Sequence, residues 1–190
     1  MDQPSDRNRH PCPALKHLRV ATAELHERLE RRMDALARLS EDTSRADLVR
    51  RYAALHIPAE TALGPTLDPV ADLDFESRRR GQHWRDHDAV ETPAFPSPES
   101  RAEALGMLYV LEGSTLGGRV ILRELAGRGV DTGSLAFLDP YGKQAGDRWR
   151  GFIAVLDREI GDDAVRLEQA GKGARRAFRH AEAILCGGPV

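Results

Sequence analysis

An all-α fold, built as a single-domain helical bundle, is predicted by three features of the sequence. Apolar residues return at three- and four-residue spacing through several long segments, no strand alternation of useful length occurs, and 190 residues suit one domain with one core. No internal repeat or low-complexity tract divides the chain, so residues 14–190 are expected to form one domain behind a loosely ordered tail, 1–13.

The first helix is carried by Leu15, Leu18, Thr22, Leu25, Leu29, Met33 and Leu36, which share one face. A second is expected over 45–63, with Leu48, Tyr52, Leu55 and Leu63 inward; Pro58, which lacks an N–H and crowds the preceding turn, bends it or splits it in two. A charged third helix covers about 72–87. Pro93, Pro96 and Pro98 force a loop, after which Ser97-Pro98, or Ser100 with Glu103, starts a helix that runs to about Ala126. Residues 127–142 are glycine-rich and irregular. Two further helices are expected at about 143–159 and 162–186, parted by Gly161.

Composition narrows the function. A net charge of −2 offers no basic footprint for nucleic acid. No apolar run approaches the ~20 residues that span a bilayer, and the first thirteen residues are polar and proline-broken, so no membrane partner and a cytoplasmic location are expected. Cys12 and Cys186 stand alone, without CxxC or metal-ligand spacing, and read as free thiols.

One segment works against its own helix. Residues 111–119, "LEGSTLGGR", place Gly113, Gly117 and Gly118 inside a helical run, where each glycine costs about 1 kcal/mol relative to alanine. With Gly106 and Val110 they form a nearly bare stripe bordered by Tyr109 and Ser114. No strand precedes the glycines and no Lys-Ser/Thr follows, so a phosphate loop is excluded, and a dinucleotide fingerprint fails on spacing. Two readings stay open: close helix–helix packing, or a flat ligand lying directly on the helix backbone.

On the first helix, Thr22, His26 and Glu30 step by four along one face, with Arg19 seven residues back from His26, about 10.5 Å along the axis. A carboxylate that accepts from Nδ1 of His26 would fix the ring tautomer and leave Nε2 to bind a metal. The alternative is an ordinary solvated His–Glu pair. Of the other histidines, His10 and His17 sit in or near the tail, and His83 and His87 are four apart with no third ligand nearby. His56 and His180 read as packing or surface residues.

"HERLE" at 26–30 and "YVLEGSTLGGRVI" at 109–121 resemble the proximal and distal helices of bacterial haem oxygenases, especially the bacteriophytochrome-associated type. "LHIPAETALG" at 55–64 and "WRGFIAVLD" at 149–157 are also similar, in the same order. The resemblance implies a haem oxygenase-type bundle in which haem is both substrate and cofactor, clamped between two helices. It implies His26 as axial iron ligand, Glu30 as the partner of that imidazole, Thr22 near the proximal face, and Gly113, Ser114 and Gly117 as the distal catalytic wall. Gly118 and Tyr109 would complete the contact, Arg19 and Arg150 would hold propionates, and Phe152 and Phe178 would be pocket walls. The implied chemistry is self-oxidation of haem with O2 to biliverdin, carbon monoxide and iron, with electrons from a ferredoxin or reductase and bilin supplied to a bacteriophytochrome. Ser114 stands where animal enzymes carry an aspartate. The rival reading is a haem carrier or sensor of the same fold, without turnover.

Overall fold

The computed structural model describes residues 12–80 and 93–187. In chain order the helices are α1 (Pro13–Met33), α2 (Ala35–Ser40), α3 (Asp42–Leu67), α4 (Phe75–Arg80), α5 (Arg101–Gly127), α6 (Ala145–Glu159) and α7 (Ala164–Cys186), with short 3-10 turns at Gly133–Leu138 and Gly142–Gln144. No strand occurs among the described residues. The expected helix over 72–87 is seen only as α4; its remainder, with His83 and His87, lies outside the described residues, as do residues 1–11.

Local chemistry sets the boundaries. Cys12 caps α1, its Sγ accepting from the Leu15 amide at 3.4 Å, so this residue belongs to the fold rather than to a tail. Asp34 then takes a left-handed conformation (φ 41°) and ends α1 one turn early, which places Leu36 on α2 instead of on a continuous first helix. The second helix of the sequence is longer at both ends than expected, and α3 passes through Pro58 and Pro65 as one element. Ser100 is the start of α5: its hydroxyl accepts from the Glu103 amide at 3.2 Å, while the Glu103 carboxylate reaches back to the Glu99 amide at 2.7 Å. Asp163 caps α7 by accepting from the amides of Val165 and Arg166 at 3.0 and 2.9 Å.

The central element is α7, which packs along both α1 and α5. Its crossing with α5 is a backbone contact in both directions. A Cβ on Gly106 would overlap the Ala170 carbonyl, and one on Gly173 would overlap the Glu103 carbonyl. At the other end, Arg38 of α2 and Arg51 of α3 donate to the last carbonyls of α7, Leu185 and Ile184, at 2.7 and 2.9 Å, and share Asp47. Those carbonyls have no partner within their own helix, and two guanidinium groups also oppose the negative end of the helix dipole.

His180 of α7 is buried, with no hydrogen-bond partner for either ring nitrogen among the described residues, and meets the Phe95 ring edge-on at 5.2 Å. Burial pushes its pKa below the ordinary 6.5. As the pH falls below 6.5 the unfolded chain takes up this proton while the folded chain resists it, so stability declines with acidification in that window. Denaturant melts of the apoprotein at about pH 7.5 and about pH 5.5 are expected to show the decline, and His180→Leu to flatten it. Equal slopes in the two chains would contradict this origin.

Candidate functional site

Between α1 and α5 lies a cavity of about 420 Å³, lined also by residues of α3 and α7, within the range of sites that hold small molecules and cofactors. From α1 it receives Arg19, His26, Leu29 and Glu30; from α5, Tyr109, Gly113, Ser114, Gly117 and Gly118; from α7, Phe178. Most of the residues expected at the site therefore converge on one space.

The glycines separate into two kinds. Apart from the adjoining backbone of α5 itself, no described atom lies within 4 Å of a Cβ built on Gly113 or Gly117, so both present bare backbone to the cavity. Gly118 also borders the cavity, but its missing Cβ faces the other way and would overlap the Leu138 carbonyl. Both readings of the stripe are therefore realised, on different residues: Gly106 and Gly118 permit close packing, and Gly113 and Gly117 leave open space. Ser114 and Thr115 turn their hydroxyls back onto the carbonyls of Leu111 and Glu112, at 2.6 and 2.7 Å, bonding that tends to bend a helix.

Opposite this face, Nδ1 of His26 stands 3.5 Å from the Glu30 carboxylate, with the two side chains 56% and 64% exposed. The edge-on Phe178 ring, centred 5.8 Å away, restrains the imidazole plane. With Nδ1 directed to Glu30, Nε2 remains for a ligand. No group of three or more His, Cys, Asp or Glu side chains able to hold a metal occurs among the described residues. His26 and His56 both border the cavity, too few ligands to hold a bare metal ion, and the open surface opposite His26 suits a flat group that carries its own metal, as a porphyrin does. At the cavity edge, burial raises the Tyr109 pKa, while the Thr22 hydroxyl and the Arg19 charge act in the opposite sense.

Three expected site residues stand elsewhere. Arg150 is on the exposed side of α6, paired with Asp147, because its position points away from α1 and α5. Phe152 is fully buried but lies in the core, its ring tilted against that of Trp149 at 5.8 Å and under the Arg78 guanidinium at 5.9 Å. Thr22 is buried on α1, donating to the Leu18 carbonyl at 2.8 Å, and is absent from the cavity lining although it meets Tyr109, which borders it. In their place the structure brings Tyr52, His56 and Trp149 to the cavity wall. Tyr52 and His56 lie on the apolar stripe of α3, stacked at 6.2 Å, and a polar ring on such a stripe was the available signal.

No protein-family model matches the chain. Curated relatives do. A protein of Xanthomonas campestris pv. campestris (strain 8004) named heme oxygenase is 34% identical over 151 residues, covering 74% of this chain and 87% of the relative. The chain belongs to the haem oxygenase family. Heme oxygenase PigA of Pseudomonas aeruginosa is 32% identical over 180 residues, covering 86% of each chain. The fold agrees: the heme oxygenase of Neisseria meningitidis, solved with NO and CO bound, superposes with a TM-score of 0.70 at 17% identity, over 90% of this chain and 89% of that one. This haem oxygenase is thus a haem-degrading enzyme. No helix among its described residues is long and apolar enough to cross a membrane.

The two kinds of glycine should differ in the apoprotein. Gly117→Ala adds helix propensity without a clash and is expected to raise stability by up to about 1 kcal/mol. Gly106→Ala and Gly118→Ala must displace a carbonyl and are expected to cost about 1–3 kcal/mol. Urea titration of the three apoproteins decides; a Gly117→Ala chain as destabilised as the other two would show that its face is packed.

Proposed function

We propose that this enzyme cleaves haem with O2 and reductant to biliverdin, carbon monoxide and iron, with His26 as axial ligand and the Gly113–Gly117 backbone as distal wall. The observation that supports this most is the shared cavity: one imidazole, restrained by Glu30 and Phe178, faces helix backbone whose Cβ positions are empty. When bound, haem supplies the redox chemistry and the ring to be opened. The chain's own residues do the rest. His26 holds the substrate from one side as a neutral imidazole, and Glu30 keeps its tautomer. Bare backbone at Gly113 and Gly117 lets the helix come close enough to confine O2 against the ring. Ser114 borders that space; because its hydroxyl already donates to the Leu111 carbonyl, it is available there as an acceptor. Arg19 and Tyr109 line the same cavity, and as hydrogen-bond donors they would hold the haem carboxylates.

Electrons come from a ferredoxin or reductase, and the bilin passes to a bacteriophytochrome; both partners are proposed on the resemblance of the motifs. Apo-bacteriophytochrome added to a turnover mixture should gain the absorbance of a bound bilin, and its failure to do so would remove that partner.

His26→Ala is expected to lose the strong-field haem spectrum and nearly all biliverdin formation, with partial recovery when imidazole is added. A native spectrum with full product yield would move the ligand to His56, which also faces the cavity. Wild-type protein that binds haem and accepts electrons but never opens the ring would make it a carrier instead. Arg19→Glu should weaken haem binding by about tenfold or less, since water competes at an exposed guanidinium, and should change the biliverdin isomer mixture. Unchanged affinity and isomer ratio would place the haem carboxylates elsewhere.

A further inference from the structure

A second polar cluster lies behind α5, away from the cavity. The side chains of Arg78 and Glu112 are 4% and 3% exposed and pair at 2.5 Å. Arg78 also donates from Nε to the Leu73 carbonyl at 2.8 Å and from Nη2 to the Arg148 carbonyl at 3.1 Å. The other Glu112 oxygen accepts from the Tyr141 hydroxyl at 2.9 Å. Arg148 in turn lies over the Tyr141 ring at 5.6 Å and bonds Asp74 and Ser77 at 3.0 and 2.6 Å. Glu112 thereby joins α5 to α4 through Arg78 and to the turn at 139–141 through Tyr141, while the remaining bonds tie α4 to the residues just before it and both to α6.

Glu112 immediately precedes Gly113. Gly113 and Gly117 have no side chains with which to hold their own backbone in place, and their cavity side is open. The restraint on this stretch must come from the opposite side, and the strongest restraint there is the buried carboxylate with its two charged or hydroxyl donors. A buried ion pair is seldom the most stable choice for a core, because desolvation offsets most of the attraction. Its geometry, however, tolerates little sliding or rotation of the helix that bears it.

We propose that Arg78, Glu112 and Tyr141 are positioning residues for the haem oxygenase reaction, setting the height and rotation of the Gly113–Gly117 backbone over the substrate from the far side of α5. The proposal rests on the reading of that backbone as the distal wall. It requires that loosening the cluster leave haem binding on the His26 side intact while the distal contact changes.

Two variants separate position from stability. Tyr141→Phe removes one bond to Glu112 and leaves the ion pair. The double variant Arg78→Met with Glu112→Leu removes both charges together, so neither is left buried alone. Each is loaded with haem and compared with wild type by melting temperature, haem affinity, the C–O stretching band of the reduced carbon monoxide complex, and turnover at saturating haem. The expected result is haem affinity close to wild type, with a shifted or broadened C–O band and turnover reduced with KM unchanged. The reduction approaches about 100-fold if the backbone moves on the order of 1 Å. A C–O band and turnover equal to wild type in both variants, whatever their melting temperatures, would reduce the cluster to a structural role and overturn the proposal. Failure of the wild-type protein to bind haem would instead sink the distal-wall reading itself, so the two failures are distinguishable.

Discussion

The helix α5 must come bare to the cavity at Gly113 and Gly117 and yet be clamped on its other sides, and the rest of the molecule is arranged around that requirement. Side chains normally hold a helix in place, and here they are missing where the position matters. The compensation is direct backbone contact two turns before Gly113 and immediately after Gly117. Gly106 rests against the Ala170 carbonyl of α7, and Gly118 against the Leu138 carbonyl of the 3-10 turn. Between these clamps the buried Glu112 carboxylate joins α5 to Arg78 and Tyr141. Without this support, the propensity that three glycines forgo would favour fraying or bending of the segment.

The opposite wall is held in a similar way, from outside the cavity. Arg28 and Arg32 of α1 both bond the largely buried Glu182 of α7, at 2.8 Å from Arg28 Nε and 2.8 Å from Arg32. The Arg28 hydrogen bond, with that of Arg32, keeps the Glu182 carboxyl below its usual range although burial opposes this. Glu182 is one helical turn beyond Phe178, the ring against His26. The ionic contact that ties α1 to α7 thus also sets the imidazole against its restraining ring. Both walls of the cavity keep their functional faces clear and place their charged anchors behind them.

Much of this was legible in the sequence, for identifiable reasons. The start of α5 could be read because Ser100 with Glu103 is a side-chain cap, and a cap is local, while the start of α7 followed from Gly161, with the Asp163 cap seen only in the structure. The end of α1 could not: Asp34 takes a left-handed conformation usually given to glycine, and the apolar pattern continues through it into α2. Pro58 left a bend and a split both open, and α3 continues through it as one helix. At the site, spacing put Gly106, Gly113 and Gly117 on one stripe but could not say what faced each one. That depends on where α7 crosses, a tertiary fact. Arg150 and Phe152 show the same limit. Their motif suggested the site, but the rotation of α6 sends one to solvent and the other into the core beside Arg78. Glu112 carried a signal that went unused, a charged residue in a run otherwise buried or small.

Haem is proposed to lie between His26 and the Gly113–Gly117 backbone. A crystal structure of the haem-loaded protein measures this most directly. The expected result is iron coordinated by Nε2 of His26, the opposite haem face in contact with the backbone of Gly113 and Gly117, and Phe178 still edge-on to the ligating imidazole. Iron coordinated by another side chain, or a porphyrin that leaves the glycine face uncovered, would contradict the account.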